Sequence, residues 1–280
     1  MIPIRDWQIS GQRPWATYIL IALNALAFLY SLSIPDRGYV LVDGCVWRDT
    51  FGQAPPGYDP VSYRRYGRGC LYPLTPRDHF YVQYGLVPAE FLSGKDLPPT
   101  VPFPIWLTLL TSMFLHAGWL HLIGNMWYLW IFGDNVEASM GSLRYLFFYL
   151  FFYLLSGMGA AGLQMAVTGR GTVPMVGASG AISGVMGAYL VLFPWSRILA
   201  LVPFWFFLHL VEVPAFAFLG LWFLLQFFSG IIDFQNLGGV AWWAHIGGFL
   251  TGALLVFLLK HRTVVPGVLL WGKRRFRRPW

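Results

Sequence analysis

The residues of this chain that could do chemistry are polar side chains inside long apolar segments. Such side chains are costly in a lipid bilayer, so each is a candidate for function. Among them, Ser179 and His245 could form a nucleophile and its base, because a serine hydroxyl needs a neighbouring base and histidine is the commonest one. The complete set is His116, His121, Asn125, Ser179, Ser183, Glu212 and His245.

The chemistry expected from this pair is nucleophilic acyl transfer. No carboxylate is clearly placed to orient the histidine, since Asp233 lies in a loop before its segment and Glu212 lies at the opposite end of the predicted bundle. The sequence therefore predicts a dyad of Ser179 and His245 in preference to a triad.

The tetrahedral intermediate of acyl transfer carries an oxyanion, which needs hydrogen-bond donors. His121 and Asn125 are four residues apart and so share one helix face. With the backbone N–H of Ser179 at a helix N-terminus, they are the candidate donors. Taken alone, the two side chains are equally well explained by hydrogen bonds between helices. His116 is about 140° round the helix from His121 and is expected to lie elsewhere.

Small residues suggest how Ser179 could reach His245. The stretch GASGAISGVMGAY at 177–189 leaves one side of a helix bare, and Gly180 and Gly184 allow close backbone approach. The stretch HIGG at 245–248 begins a second bare face, which Gly252 continues. The alternative is that the glycines serve packing alone and that Ser179 bonds its own backbone.

The elements that carry these residues are predicted to be membrane-spanning helices. The 280 residues are 57% hydrophobic and 11% charged, against roughly 25% charged in a soluble domain, so a water-soluble fold is excluded. We expect an all-α polytopic membrane bundle of six transmembrane helices. The apolar run 197–211, interrupted by Pro203, is interpreted as a loop at the membrane interface. The predicted spans are about 15–33, 105–132, 145–167, 177–193, 213–230 and 240–260.

Basic residues near the span ends predict that both termini face the cytoplasm. Residues 1–14 form a cytoplasmic segment, 15–262 the membrane domain and 263–280 a basic cytoplasmic tail. The second, fourth and sixth spans then run in the same direction, which brings their polar residues to a comparable depth in the outer half of the bilayer. The first span is longer than the apolar core of a secretory signal and is expected to be retained.

The net charge of +7 is concentrated in the tail WGKRRFRRPW. A basic cluster just after a span is typical of an orientation signal that also contacts anionic lipid. We therefore expect membrane lipid, and no nucleic acid, as a partner.

The segment 34–104 is rich in Gly, Pro, Tyr and Asp and is predicted to be an extracytoplasmic insertion of irregular structure, with a short helix near Pro88–Leu92. It contains Cys45 and Cys70, the only cysteines. An oxidising exterior would permit a disulfide between them; the alternative is two unrelated thiols. Two cysteines alone make a poor metal site.

Three motifs in this order resemble the rhomboid family of intramembrane serine proteases, of the six-span bacterial type. They are Gly177-Ala178-Ser179-Gly180 for the family's GxSG, His121-x-x-x-Asn125, and Ala244-His245-Ile246-Gly247-Gly248. The resemblance covers roughly 15–33 and 105–260.

By this resemblance Ser179 is the nucleophile, His245 the general base, and His121 and Asn125 are oxyanion donors. It implies no metal or organic cofactor, substrates that are membrane proteins cut within or beside a span, and a location in the inner membrane of a bacterium. The fifth span would supply a bulky gate towards lipid, although ordinary lipid-facing aromatics explain each of its members equally well. The gate residues are Phe216, Phe218, Trp222, Phe223 and Phe227.

Two positions depart from the family pattern. Leu107 follows Trp106 where the family often has Trp-Arg, and Ser183 stands where some members carry a tyrosine that stacks on the base. The Gly133–Glu137 stretch resembles a structural turn of the family.

Two alternative functions remain open at this point. One is a catalytically inactive relative that binds membrane clients, and the other is a transporter or channel.

Overall fold

The computed structural model describes residues 1–8, 10–51, 70–168, 171–205, 207–233 and 240–259. Short 3₁₀ turns, Ile105–Leu107 and Ser112–Phe114, flank the one-turn helix Thr108–Thr111. The helices are α1 (Trp15–Ser33), α2 (Cys45–Phe51), α3 (Pro76–Tyr84), α4 (Pro88–Ser93), α5 (Thr108–Thr111), α6 (Trp119–Met140), α7 (Ser142–Thr168), α8 (Ser179–Leu192), α9 (Ala215–Ile232) and α10 (Trp242–Leu259). The strands are β1 (Ile2–Asp6), β2 (Val40–Asp43), β3 (Leu71–Leu74), β4 (Arg197–Phe204) and β5 (Phe207–Pro214).

Five of the six predicted spans coincide with single helices, α1 and α7 to α10, whose ends agree within three residues. The prediction of the second span, 105–132, as one continuous helix is wrong. The chain breaks after Phe114, and the axes on the two sides of the break differ by 83°. Leu115 has an extended conformation and Gly118 a fully extended one, so the helical hydrogen bonds cannot continue there. The predicted turn at Gly133–Glu137 lies inside α6.

Within the described ranges, α1 and α9 are long and apolar enough to cross a membrane, and the bent pair Ile105–Phe114 and Trp119–Met140 can count as a third span. The helix α8 and the part Trp242–Val256 of α10 are apolar but shorter. The number of six spans therefore stays a prediction.

The expectation of an all-α chain is incomplete, because two small sheets are present. The run 197–211, predicted to be a loop, forms the hairpin of β4 and β5, with Arg197 opposite Pro214 and Phe204 opposite Phe207. The strand β1 pairs antiparallel with β4. The backbone groups of an apolar segment still need hydrogen-bond partners, and strand pairing supplies them here.

The predicted irregular structure of 34–104 is also wrong where this segment is described. A hairpin of β2 and β3 packs with α2, α3 and α4 around a small apolar core that includes Val42, Trp47 and Leu74. Cys45 and Cys70 are joined by a disulfide, and α4 lies where the short helix was expected. Residues 52–69 and the predicted tail 263–280 lie outside the described residues.

The main core lies between α6, α7, α8 and α9 and includes Phe132, Tyr149, Tyr189 and Phe218. The helix α1 is fixed to this core by Glu137 of α6. The two carboxylate oxygens of Glu137 accept hydrogen bonds from the backbone N–H groups of Ala16 and Thr17, each at 2.9 Å. A carboxylate at the N-terminus of a helix satisfies unpaired donors and the helix dipole, so this contact makes a firm frame for the helices that carry the polar site.

Candidate active site

Ser179 is the first residue of α8, and the backbone before it is held in an unusual conformation. Gly177 has φ +117°, a region that favours glycine. Its N–H donates to the Ser112 carbonyl oxygen at 2.9 Å. This link connects the residues just before α8 to the segment before α6.

His245 lies in the first turn of α10, and its ring contacts Ser179. The Nε2 atom of His245 is 2.8 Å from Ser179 Oγ. The other ring nitrogen, Nδ1, is 2.7 Å from the side-chain oxygen Oε1 of Gln226 on α9. The predicted nucleophile and base are therefore within hydrogen-bond distance, although 66 residues separate them in the chain.

The predicted close approach of the two glycine-rich helices is confirmed. A Cβ atom added to Gly248 would meet the carbonyl of Gly180, and one added to Gly252 would meet the carbonyl of Gly184. From the other side, a Cβ on Gly187 would meet the carbonyl of Phe249. No side chain fits at these points, so the backbones of α8 and α10 touch and bring Ser179 and His245 together.

His121 and Asn125 of α6 lie beside the same site. A Cβ on Gly177 would come 2.7 Å from the His121 ring and 3.7 Å from Asn125 Nδ2. Asn125 Nδ2 is buried and has no hydrogen-bond partner among the described residues. A buried amide donor without a partner is costly, and one that faces a polar site is available to a ligand atom.

These side chains line one cavity of about 280 Å³. Apolar and aromatic side chains of α6, α8, α9 and α10 also line it. Within the described part of the chain, no group of three or more His, Cys, Asp and Glu residues could hold a metal ion. The polar lining residues of the cavity include His121, Asn125, Ser179, Ser183, Gln226 and His245.

Aromatic rings support His245 from two sides. The ring of Trp222 on α9 lies 6.2 Å from it, tilted by 36°, and Trp242 approaches edge-on at 6.3 Å. Ser183, the residue in place of the family's tyrosine, instead donates its hydroxyl to the Ser179 carbonyl oxygen at 2.6 Å. The support that the tyrosine would give therefore comes from a different helix.

Two other candidate residues, His116 and Phe218, lie elsewhere than expected, whereas Glu212 lies away from the site as expected. His116 contacts His121, with ring centroids 5.0 Å apart, because it lies in the break before α6 and not on that helix. Glu212 pairs with Arg197 in the hairpin and takes no part in the site. Phe218 is buried in the main core, so it cannot belong to a gate that faces lipid.

The sequence interpretation did not include Gln226, which contacts the base directly. A usable signal was present: the segment AFAFLGLWFLLQFFSGII of α9 contains no other amide and no charged residue. The rule that singled out Ser179 and His245, that polar groups in apolar spans serve a function, applies to Gln226 equally.

Comparison with known proteins gives one family. The model described as Rhomboid domain matches residues 104–262. Rhomboid-like protein 11, chloroplastic, of Arabidopsis thaliana is 34% identical over 187 residues, which are 65% of this chain and 60% of that protein. RHOMBOID-like protein 6, mitochondrial, of the same plant is 34% identical over 157 residues, 54% of this chain and 43% of that protein.

A bacterial relative is also similar. Putative rhomboid protease YdcA of Bacillus subtilis is 37% identical over 86 residues, 30% of this chain and 40% of that protein. The chain thus spans 60% or less of the length of these three relatives.

Proposed function

The chain belongs to the rhomboid family, and on this basis we propose that it is an intramembrane serine endopeptidase. The observation that carries the proposal is the 2.8 Å contact between Ser179 Oγ and His245 Nε2. A serine hydroxyl bonded to a histidine inside an otherwise apolar bundle is the arrangement that activates a nucleophile. A purely structural serine at a helix start needs no such partner.

In the proposed first half-reaction, Ser179 Oγ attacks the carbonyl carbon of the scissile peptide bond. His245 Nε2 takes the hydroxyl proton as the new C–O bond forms. The same proton then passes from His245 to the nitrogen of the leaving amine, the C–N bond breaks, and an ester on Ser179 remains. In the second half, water gives a proton to His245 and attacks the ester carbon. His245 then returns this proton to Ser179 Oγ as the ester C–O bond breaks, which releases the acid and restores the hydroxyl.

The negative charge that develops on the carbonyl oxygen needs donors nearby. The unpaired Nδ2 of Asn125 supports a role for this side chain, and His121 stands next to it against Gly177. The backbone N–H of Ser179, at the N-terminus of α8, is the third donor of the proposal. All of these groups lie on rigid helices, so little reorganisation would be required during the reaction.

The proposed substrates are proteins with transmembrane segments, cut within or beside a span. We further propose six spans, with the termini in the cytoplasm and the site in the outer half of the bilayer. Family membership makes the protein membrane-embedded. The expected bacterial inner membrane gains no support from the plant relatives, which are named as chloroplastic and mitochondrial proteins.

The proposal is tested with a fluorophosphonate probe, which forms a covalent bond only with an activated serine. The solubilised wild-type protein should be labelled, and Ser179→Ala and His245→Ala should each lower the labelling rate by about 10³-fold or more. Ser183→Ala is the matched control, because this hydroxyl bonds a backbone carbonyl and not the base. It should keep at least half of the labelling rate.

Cleavage of a panel of single-span proteins, with the cut mapped by mass spectrometry, completes the test. Labelling that persists in Ser179→Ala would show that another residue is the nucleophile. A wild-type protein that binds such a client, takes no label and never cleaves it would indicate an inactive relative.

A further inference from the structure

Gln226 is an amide in a helix that otherwise presents apolar and small side chains. It lies on α9, which carries neither the proposed nucleophile nor the proposed base. Its side-chain oxygen Oε1 lies 2.7 Å from Nδ1 of His245, and its amide lines the same cavity as the dyad. Placing an amide in this helix costs free energy unless it makes a specific contact, and the contact that it makes is with the base.

The chemistry of the two atoms determines where the proton of the imidazole lies. An amide oxygen only accepts hydrogen bonds, so His245 Nδ1 must donate to it. In a neutral imidazole the other nitrogen, Nε2, then has a free lone pair. This lone pair faces Ser179 Oγ at 2.8 Å. The alternative tautomer would place two lone pairs against each other at the Gln226 contact and would leave Nε2 without the capacity to accept the serine proton.

We infer that Gln226 is the positioning residue of His245: it holds the imidazole in the tautomer and orientation that a general base for Ser179 requires. The inference rests on the proposed function and adds to it a residue outside the family motifs quoted above. Among the described residues, the two ring nitrogens of His245 contact Ser179 and Gln226 and no carboxylate. A neutral acceptor selects the tautomer as a carboxylate does in a triad, without burying a second charge in an apolar bundle.

A second contact from the same helix strengthens the inference. Trp222 lies one turn before Gln226 on α9, and its ring packs against His245. The imidazole is therefore held by α9 through one hydrogen bond and one ring contact, while α10 carries its backbone. Alignment of the base consequently depends on α9 being in place, and a displacement of this helix would remove both contacts at once.

Three variants test the inference. Gln226→Met keeps the length of the side chain but removes the acceptor, Gln226→Glu keeps an acceptor, and Leu225→Met introduces the same methionine at a neighbouring, exposed position of α9. Thermal unfolding of each variant is measured alongside, so that a loss of folding is recognised as such.

We expect Gln226→Met to lower kcat and the fluorophosphonate labelling rate by about 10- to 100-fold, with KM within threefold of wild type, since the base is misaligned while the cavity keeps its shape. Gln226→Glu should recover most of the rate and move the acid limb of the activity profile to higher pH, because a carboxylate favours the protonated imidazole. Leu225→Met should match wild type.

A readout that does not depend on activity is the ¹⁵N NMR spectrum of the histidines, assigned for His245 by comparison with His245→Ala. The wild type should show Nδ1 protonated, and Gln226→Met should show a mixture of the two tautomers.

Wild-type kcat and pH profile in Gln226→Met, or an unchanged tautomer, would overturn the inference. So would a Gln226→Glu variant that folds normally but loses as much activity as Gln226→Met. Absence of both label and cleavage in the wild-type protein would contradict the proposed function instead, and the NMR spectrum would still report whether Gln226 selects the tautomer.

Discussion

At the scale of single residues, two side chains of α6 stand out in the site: the ring of His121, which is closely confined, and the buried amide of Asn125. His121 is pressed against Gly177 so closely that a single added carbon at residue 177 would overlap its ring. Next to it, the buried Nδ2 atom of Asn125 has no hydrogen-bond partner within the described part of the chain. The backbone at Gly177 therefore limits where the His121 ring can lie, and such restraint suits the preorganised donor that the proposed reaction requires.

This arrangement predicts a strong effect of Gly177→Ala. The new Cβ would lie 2.7 Å from Cε1 and Nε2 of His121, and the backbone has φ +117°. The ring of His121 must move, so we expect the fluorophosphonate labelling rate to fall by about 100-fold, the usual effect of losing one oxyanion donor.

The matched control is Gly159→Ala on α7, where an added Cβ meets nothing within 4 Å. It should leave the labelling rate within twofold of wild type. Equal rates for the two variants would show that His121 does not need the space at residue 177.

At the scale of elements, the decisive contact is the one between α8 and α10. Glycine on both helices lets the backbones touch, and the touching backbones set the distance between Ser179 and His245. The helix α9 packs against the core through its first half, at Ala215, Phe218 and Leu219, and contacts the base through Trp222 and Gln226 farther along.

The neighbouring glycines of α10 offer a matched pair of substitutions. In Gly248→Ala the new methyl group meets the Gly180 carbonyl, so the helices must separate. We expect a loss of about 1–3 kcal/mol in the free energy of unfolding and a labelling rate at least tenfold lower.

Gly247→Ala is the control, because nothing lies within 4 Å of its added Cβ. Alanine is the better helix former by up to about 1 kcal/mol, so this variant should be as stable as wild type or more so. Thermal unfolding in detergent measures both variants. Equal stabilities would contradict the view that backbone contact at Gly248 holds the two helices together.

At the scale of the whole molecule, the N-terminal strand joins elements that are far apart in the chain. The carboxylate of Asp6 in β1 accepts from Asn135 Nδ2 of α6 and from the Tyr189 hydroxyl of α8, both at 2.7 Å. The strand also pairs with β4, which leads through β5 directly into α9. One end of α6, α8 and α9 is thereby tied to the same three-stranded sheet.

This junction predicts a dependence of stability on pH. Burial raises the pKa of Asp6 from 3.8 to about 6, against the hydrogen bonds from Tyr189 and Asn135 and the charge of Arg5, which lower it. An acid whose pKa is raised on folding favours the folded state while it is protonated. The free energy of unfolding should therefore fall as pH rises from about 4 to about 6 and level off above, by at most about 3 kcal/mol and by less where water reaches the carboxyl.

Urea unfolding of the detergent-solubilised protein between pH 4 and pH 7 measures this effect. Asp6→Asn, which cannot ionise, should flatten the curve in this window, whereas Asp49→Asn, at an exposed carboxylate, should not. A free energy of unfolding that does not fall between pH 4 and pH 6, or a fall that is as steep in Asp6→Asn as in the wild type, would exclude this role of Asp6.

Much of this molecule could be predicted from local patterns. Polar residues in apolar segments identified Ser179 and His245, and spacing placed His121 and Asn125 on one helix face. Five helices begin and end within three residues of their predicted bounds. These features follow from the cost of a polar group in lipid and from the period of the helix, and both act over a few residues.

Contacts between distant parts of the chain were decided only by the tertiary structure. The partner of His245 is Gln226 on a different helix, Asp6 meets Tyr189 across 183 positions, and the apolar run 197–211 became a hairpin because β1 and its own second half supply hydrogen bonds. No local period encodes which distant group will satisfy a donor or an acceptor. That choice is made when the glycine faces and the apolar core bring the helices together.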